Sequence, residues 1–260
     1  MLAAATAAAG ASALVVVAGG SAPARGLAPA PPTAATGPAS DVHVGSARLT
    51  GTVTPNGLTT TYRFEYGRTA GYGSATRATD AGSGTAPVRA VADVGGLAPG
   101  TVYHYRLVAT NRLGTAFGAD ATVTTRDPRL RGRYRVRLRV AGGGAAFGER
   151  RGDVFHRTYR FRPRCQGPLC RAVKLKRRGR RGHFRSTLRR ASSGVYTGTE
   201  RFRRGRCDDG LTFHTAAPIR VAVKRTAGDR AARIRGKLRV RMRGCRSGGE
   251  RARMRGRAKG

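Results

Sequence analysis

Wherever this chain shows a hydrophobic period, the period is two. Residues 131–140, RGRYRVRLRV, set an arginine at every second position and place Tyr134, Val136, Leu138 and Val140 between them. A strand sends successive side chains to opposite faces. The pattern therefore predicts a core face built from those four residues and a solvent face of Arg133, Arg135, Arg137 and Arg139. The same grammar recurs at 158–162 (TYRFR), 172–176 (AVKLK), 219–224 (IRVAVK) and 238–243 (LRVRMR). Turn residues cluster at 142–144, 179–182, 192–194, 208–210 and 227–229. No stretch carries convincing helical spacing. Residues 127–260 thus predict about eight short-connected strands, which an up-and-down barrel or a sandwich satisfies.

The first half reads as β structure too. Residues 47–53 alternate and stop at Pro55-Asn56-Gly57, a strong turn signal. Residues 61–66 put Tyr62, Phe64 and Tyr66 on one face, and 101–109 predict a further strand. Regularly spaced short strands with Gly and Pro turns predict an all-β sandwich over 41–126. Ahead of it, residues 25–40 (centred on PAPPTAATGPAS) lack any apolar period and predict an extended linker. Residues 2–18 are apolar and uncharged, and Ala22-Pro23-Ala24 forms a small-x-small site. Residues 1–24 therefore predict a secretory signal peptide, with an uncleaved N-terminal anchor as the alternative. The expected location is extracellular or at the cell surface.

At this point the residues reach a family. Leu97-Ala-Pro99-Gly-Thr101-Val-Tyr103, followed by Tyr105 through Asn111 and Gly114, resembles the EF corner and F strand of fibronectin type III domains. The run TPNGLTTTYRFEYG at 54–67 resembles the B and C strands of the short bacterial version. The resemblance implies a sandwich in a secreted bacterial protein, with a corner tyrosine returning its hydroxyl to the backbone. The chain has no Trp, so another residue must fill the place of that family's B-strand tryptophan. Residues 127–260 resemble uncharacterised cysteine-containing β domains of secreted bacterial proteins, which implies no activity. Leu130-x-Gly132-x-Tyr134 resembles the first strand of lipocalin-like barrels.

Charge separates the two halves. Residues 1–126 hold 9 basic and 5 acidic side chains, whereas 127–260 hold 42 and 8, within a net charge of +38. So positive a surface attracts polyanions, with strong salt dependence. The abundance of Ala, Gly, Arg and Pro also fits a GC-rich coding bias, which supplies arginine without any binding role. The four cysteines, Cys165, Cys170, Cys207 and Cys245, all lie in the basic half. In an exported chain an even count predicts two disulfides. The short loop suggests Cys165 with Cys170, leaving Cys207 with Cys245, although three pairings are formally open. A four-cysteine zinc site lacks the paired short spacings it needs, and no metal or other cofactor is expected.

The candidate polyanion-binding residues are Arg133, Arg135, Arg137 and Arg139; Arg239, Arg241 and Arg243; and a cluster read as a hairpin tip, Lys174, Lys176, Arg177, Arg178, Arg180 and Arg181. Guanidinium forks bind phosphate, sulfate and carboxylate bidentately. Arg151-Gly152-Asp153 spells an integrin-recognised tripeptide, a chance match in so Arg- and Gly-rich a chain. His43, His104, His156, His183 and His214 are scattered, and Asp208-Asp209 reads as a turn. With no nucleophile elbow or P-loop in the sequence, no catalytic residues are expected and the chain reads as no enzyme. The expectation is an exported binding protein for an acidic polysaccharide or other polyanion. An anionic membrane or wall surface is a further candidate, and nucleic acid a weaker one. The alternative is a lipocalin-like barrel around a small apolar ligand.

Overall fold

The computed structural model describes residues 28–143, 150–179, 182–201, 205–206, 212–243 and 250–258, so the expected signal peptide lies outside the described residues. All regular elements among them are strands, as the period of two requires. The first nine are β1 (Thr33–Thr36), β2 (Ala47–Thr54), β3 (Thr60–Gly67), β4 (Ser74–Ala75), β5 (Thr79–Gly82), β6 (Val88–Val94), β7 (Val102–Asn111), β8 (Gly114–Phe117) and β9 (Ala121–Thr124). They make two facing sheets. One has the order β1-β2-β6; the other runs β4-β3-β7-β8, with β5 added on β3 and β9 on β7. Leu49 and Val53 from β2 meet Phe64, Tyr105 and Leu107 in the shared core. That core is aliphatic on the β2 side, which is how a chain without Trp fills it. At the corner before β7, the Tyr103 hydroxyl accepts the Ala98 N–H at 2.9 Å while its ring stays buried.

The Pro/Ala-rich stretch is a correction to the expected linker. It is extended, but from residue 30 onward it is docked rather than free. β1 pairs antiparallel with β2. Asn111 Nδ2 donates to the Ala30 carbonyl at 3.0 Å, and the Tyr105 hydroxyl donates to the Gly37 carbonyl at 2.9 Å. The Leu107 N–H is received by Thr36 Oγ1 at 3.0 Å. A segment with no apolar period is held here by polar groups that the rest of the sandwich supplies.

The second half comprises β10 (Gly132–Gly143), β11 (Val154–Gln166), β12 (Leu169–Gly179), β13 (Gly182–Ser192), β14 (Val195–Arg201), β15 (Gly205–Arg206), β16 (Thr212–Ala227), β17 (Arg230–Arg243) and β18 (Glu250–Ala258). Each main strand pairs antiparallel with the next. β10 pairs with β18, and β14 with β16, so eight strands close into an up-and-down barrel with the short β15 appended to β16. Closure removes the open edges that a sheet this long would expose.

Parity then sorts every side chain. Tyr134, Val136 and Val140 on β10 face inward and are buried. They join Tyr159, Phe161, Leu188, Tyr196, Ile219 and Met254 in one continuous cluster. The Tyr134 and Phe161 rings meet edge to face at 5.3 Å, within the range that favours aromatic pairs. Neighbouring strands β16, β17 and β18 come very close at two glycines. A Cβ on Gly236 would stand 2.4 Å from the Arg220 carbonyl oxygen, and one on Gly256 would stand 2.9 Å from the Ile234 side chain. Glycine at these sites permits the approach.

The end of the barrel near the sandwich is tied down by two aspartates. Asp127 is wholly buried. Its carboxylate accepts the Cys170 N–H at 3.0 Å and the Ser193 hydroxyl at 3.0 Å, and it pairs with Arg190 at 2.8 Å. Asp229, at the turn between β16 and β17, reaches into the sandwich. Its carboxylate accepts the Val44 N–H at 3.1 Å and pairs with Arg126 at 3.0 Å. Leu130 follows as a fully buried plug. Cys165 and Cys170 form a disulfide across the β11–β12 hairpin, one of the two bridges expected. Cys207 and Cys245 lie outside the described residues.

Two outcomes follow from this packing. Asp127→Ala strands the Arg190 charge and the Cys170 N–H, and should lower stability by about 3 kcal/mol in urea unfolding, with Asp127→Asn recovering part of the loss. Burial pushes the Tyr134 hydroxyl up to about 12, and raises Tyr159 and Tyr196 as well. Above pH 10 the unfolded chain releases these protons while the folded barrel retains them. Stability therefore falls as pH rises, with Tyr134 alone contributing a loss of about 2 kcal/mol by pH 12. Tyrosine absorbance should show three of the 8 tyrosines titrating only as the barrel unfolds.

Candidate anion-binding face

Register, not sequence, assembles the arginines. On the outer wall β10 faces β18, β18 faces β17, and β17 faces β16. The pairings line up three rows of directly opposed cations. The first is Arg135–Arg257–Arg233–Arg225, the second Arg137–Arg255–Arg235, and the third Arg139–Arg253–Lys237–Arg220. All of these side chains are exposed. Strand geometry spaces the columns by ~4.8 Å and the rows by ~6.8 Å. A groove of about 750 Å³ crosses the first two rows, with Lys224 and His156 at its margins.

A second basic surface covers the strands on the other side of β10. Arg133 faces Arg160, Arg160 faces Lys176, and Lys176 faces Arg185, one cation per strand across four strands. Beside this row Arg162 faces Lys174. Arg160, Arg162, Lys174, Lys176 and Arg185 line a groove of about 520 Å³.

No described carboxylate side chain offsets the grid. Among the barrel carboxylates whose side chains are described, Asp229 belongs to the junction and Glu200 is buried inside. Asp153 is used in its own turn, where it accepts the Arg150 N–H at 2.7 Å. That turn contains the Arg-Gly-Asp tripeptide, and Gly152 supplies its positive φ of 103°.

The sequence-derived candidates fall in different places. Arg133, Arg135, Arg137 and Arg139 stand exposed on β10, and Arg239 is exposed on β17. Arg241 and Arg243 continue β17 as backbone pairs to β16, with side chains outside the described set. The 174–181 cluster is not one hairpin tip. Lys174 and Lys176 lie within β12 and point outward, Arg178 is described only by its backbone, and Arg180 and Arg181 lie outside the described residues.

Arg177 is a correction. Its parity is that of Val173 and Leu175, so it turns into the barrel and pairs with the buried Glu200 at 3.3 Å. Its guanidinium also lies 4.2 Å from the centre of the Phe184 ring. The Tyr159 and Tyr196 hydroxyls are buried as well, and neither has a hydrogen-bond partner among the described residues. Strand β18 was missed in the sequence although it supplies the middle column. Its signal was there in 251–257, RARMRGR, which repeats the arginine alternation.

Of the histidines, His104 Nδ1 lies 2.8 Å from Asp120 in the sandwich and His43 approaches Asp229 at 3.6 Å. The side chains of His183 and His214 lie outside the described set. Among the described residues no three His, Cys, Asp or Glu side chains gather to hold a metal ion.

No family model matches the chain, and no curated protein matches it. Among solved structures it is similar to the sensor domain of the anti-sigma factor RsgI4 of Pseudobacteroides cellulosolvens. That likeness is at 22% identity, covers 35% of this chain and 86% of that chain, and has a TM-score of 0.24. At so low a TM-score it supports no conclusion about the arrangement or role of this chain.

Two unit charges ~6 Å apart in water repel by about 0.7 kcal/mol, and salt screens that repulsion. The grid should therefore make the barrel more stable as salt rises. Arg255→Thr removes the central charge and keeps a strand-forming residue. It should raise stability by about 1 kcal/mol at 0.01 M salt and by much less at 0.5 M, read from denaturant midpoints.

Proposed function

We propose that this protein is an exported, non-enzymatic binding protein that engages an acidic polysaccharide through the cationic wall of its barrel. One observation carries the reading. Eleven Lys and Arg side chains stand in directly opposed rows over β10, β18, β17 and β16, with no described carboxylate among them. Such an arrangement costs stability when empty and is relieved by a ligand that brings closely spaced anions. A small monoanion satisfies one fork, whereas a polymer satisfies a row.

The sandwich then acts as a spacer or platform joined to the barrel through Asp229. Its three-strand sheet facing a longer one, together with the Tyr103 corner, supports the fibronectin type III resemblance. The Cys165–Cys170 disulfide supports an oxidising, extracellular setting. The interior-ligand alternative is less well supported. The described interior is one continuous cluster of buried side chains, and it also holds the Arg177–Glu200 ion pair, an unfavourable lining for an apolar ligand.

The test is binding of the oxidised full chain to heparin-type polysaccharide, DNA, teichoic-acid polymer, anionic vesicles and a neutral glucan, over 0.05–0.5 M salt. The acidic polysaccharide should bind most tightly at ~0.15 M. With about seven contacts, its log K against log salt should have a slope of roughly −5, taking the single-strand value per contact. Equal binding to all four anions, fading together as salt rises, would leave the arginines as a generic coat and end this reading.

A further inference from the structure

Among the grooves of the outer wall two face different ways, and a third, lined by Arg129, Arg131, Arg160 and Arg162, adjoins the smaller of them. The larger is centred on β18, between β10 and β17, and is lined by Arg135, Arg137, Arg233, Arg235, Arg255 and Arg257. The smaller is centred on β12 and is lined by Arg160, Arg162, Lys174, Lys176 and Arg185. On the eight-strand ring β12 and β18 are three strand steps apart, close to opposite sides.

Neutral stretches interrupt the surfaces between them. On one side β14 presents Val195, Thr197 and Thr199, and β16 presents Ala216 and Pro218, while Arg189 on β13 and Arg220 on β16 flank Thr197. On the other side the early part of β11 presents Val154, His156 and Thr158 to the outside, opposite Arg139, Arg137 and Arg135. The Arg133–Arg160 pair links the two surfaces near the sandwich end. A straight rod that touches one face of a closed barrel leaves the nearly opposite face free, and β12 and β18 are placed in this way on the ring.

We propose that one barrel holds two acidic polysaccharide chains at once, one per groove, and so bridges them. This rests on the polymer-binding reading above and adds a second, separate site and a cross-linking activity. Two weak polyvalent sites on one rigid body convert binding into network formation once each polymer carries several copies of the protein. Rigidity matters, because a closed wall keeps the two grooves from folding onto the same chain.

Two measurements on the oxidised full chain test the idea. Calorimetric titration with a heparin-derived hexasaccharide, too short to span both grooves, gives the stoichiometry. Light scattering against long heparin-type polysaccharide, over a range of protein-to-polymer ratios, reports bridging. Variant one is Arg137→Ser, Arg235→Ser and Arg255→Ser; variant two is Arg160→Ser, Lys176→Ser and Arg185→Ser. Both remove like-charge repulsion, so both should fold.

The native chain should bind two hexasaccharides, and each variant one. The scattering maximum at intermediate ratio should be lost in both variants, although each still binds the polymer. One hexasaccharide per native molecule, or one variant losing all binding while the other loses none, overturns the two-groove proposal and leaves single-site binding intact. No saturable binding of either ligand by the native chain removes the polymer reading itself.

Discussion

A closed wall of antiparallel strands gives each side chain one of two fates, set by parity, and the rest of the second domain depends on that constraint. With the wall closed, no strand edge is left to carry a mixture of the two. The apolar residues of each RxRxR stretch must then fill a narrow interior, and the arginines must share an outer surface with each other. The barrel is thus stabilised from inside by the cluster around Tyr134, Phe161 and Ile219, and opposed from outside by rows of like charge. Few acids are present to reconcile the two, and those described serve other purposes. Asp127 pairs with Arg190 at the barrel end, Asp229 fastens the sandwich, and Glu200 pairs with Arg177, which parity turned inward.

Faces were legible in the sequence; neighbours were not. Alternation at 131–140 named both the buried and the exposed sets on β10, because each apolar residue there is large. Strand β18 uses Ala252, Met254, Gly256 and Ala258 on its inner side, which gives it almost no hydrophobic signal, so only its arginines marked it. Arg177 was misjudged because the basic run was read as a cluster instead of counted by twos from Val173 and Leu175. The rows themselves arise from pairings such as Arg137 with Arg255, more than a hundred residues apart, and no local pattern encodes such a register. The docking of residues 30–37 was equally hidden. It depends on single polar groups of Asn111, Tyr105 and Thr36 that carry no periodicity.

The site and the scaffold pull in opposite directions, and this makes the surface chemically informative. A solvated arginine coat is ordinarily diluted by carboxylates, which cost nothing in solubility and relieve repulsion. Here the relief must come from salt or from a bound anion. Stability and affinity should therefore change in opposite senses when a central grid residue is replaced, as happens where a site is held at the scaffold's expense. The sandwich and the barrel meet through Asp229, whose carboxylate takes the Val44 N–H and the Arg126 guanidinium.

The chain order of the barrel has a kinetic consequence. β18 is the last strand described, and it must enter between β10 and β17, so the wall closes through contacts spanning nearly the whole domain. Contacts so distant along the chain form late and slowly. The outward-facing pairs made in that step, from Arg139 with Arg253 to Arg233 with Arg257, also bring two cations face to face. The barrier to closure is therefore partly electrostatic. A nascent barrel in dilute buffer would linger as an open, seven-strand sheet with two exposed edges, and added salt would speed its closure.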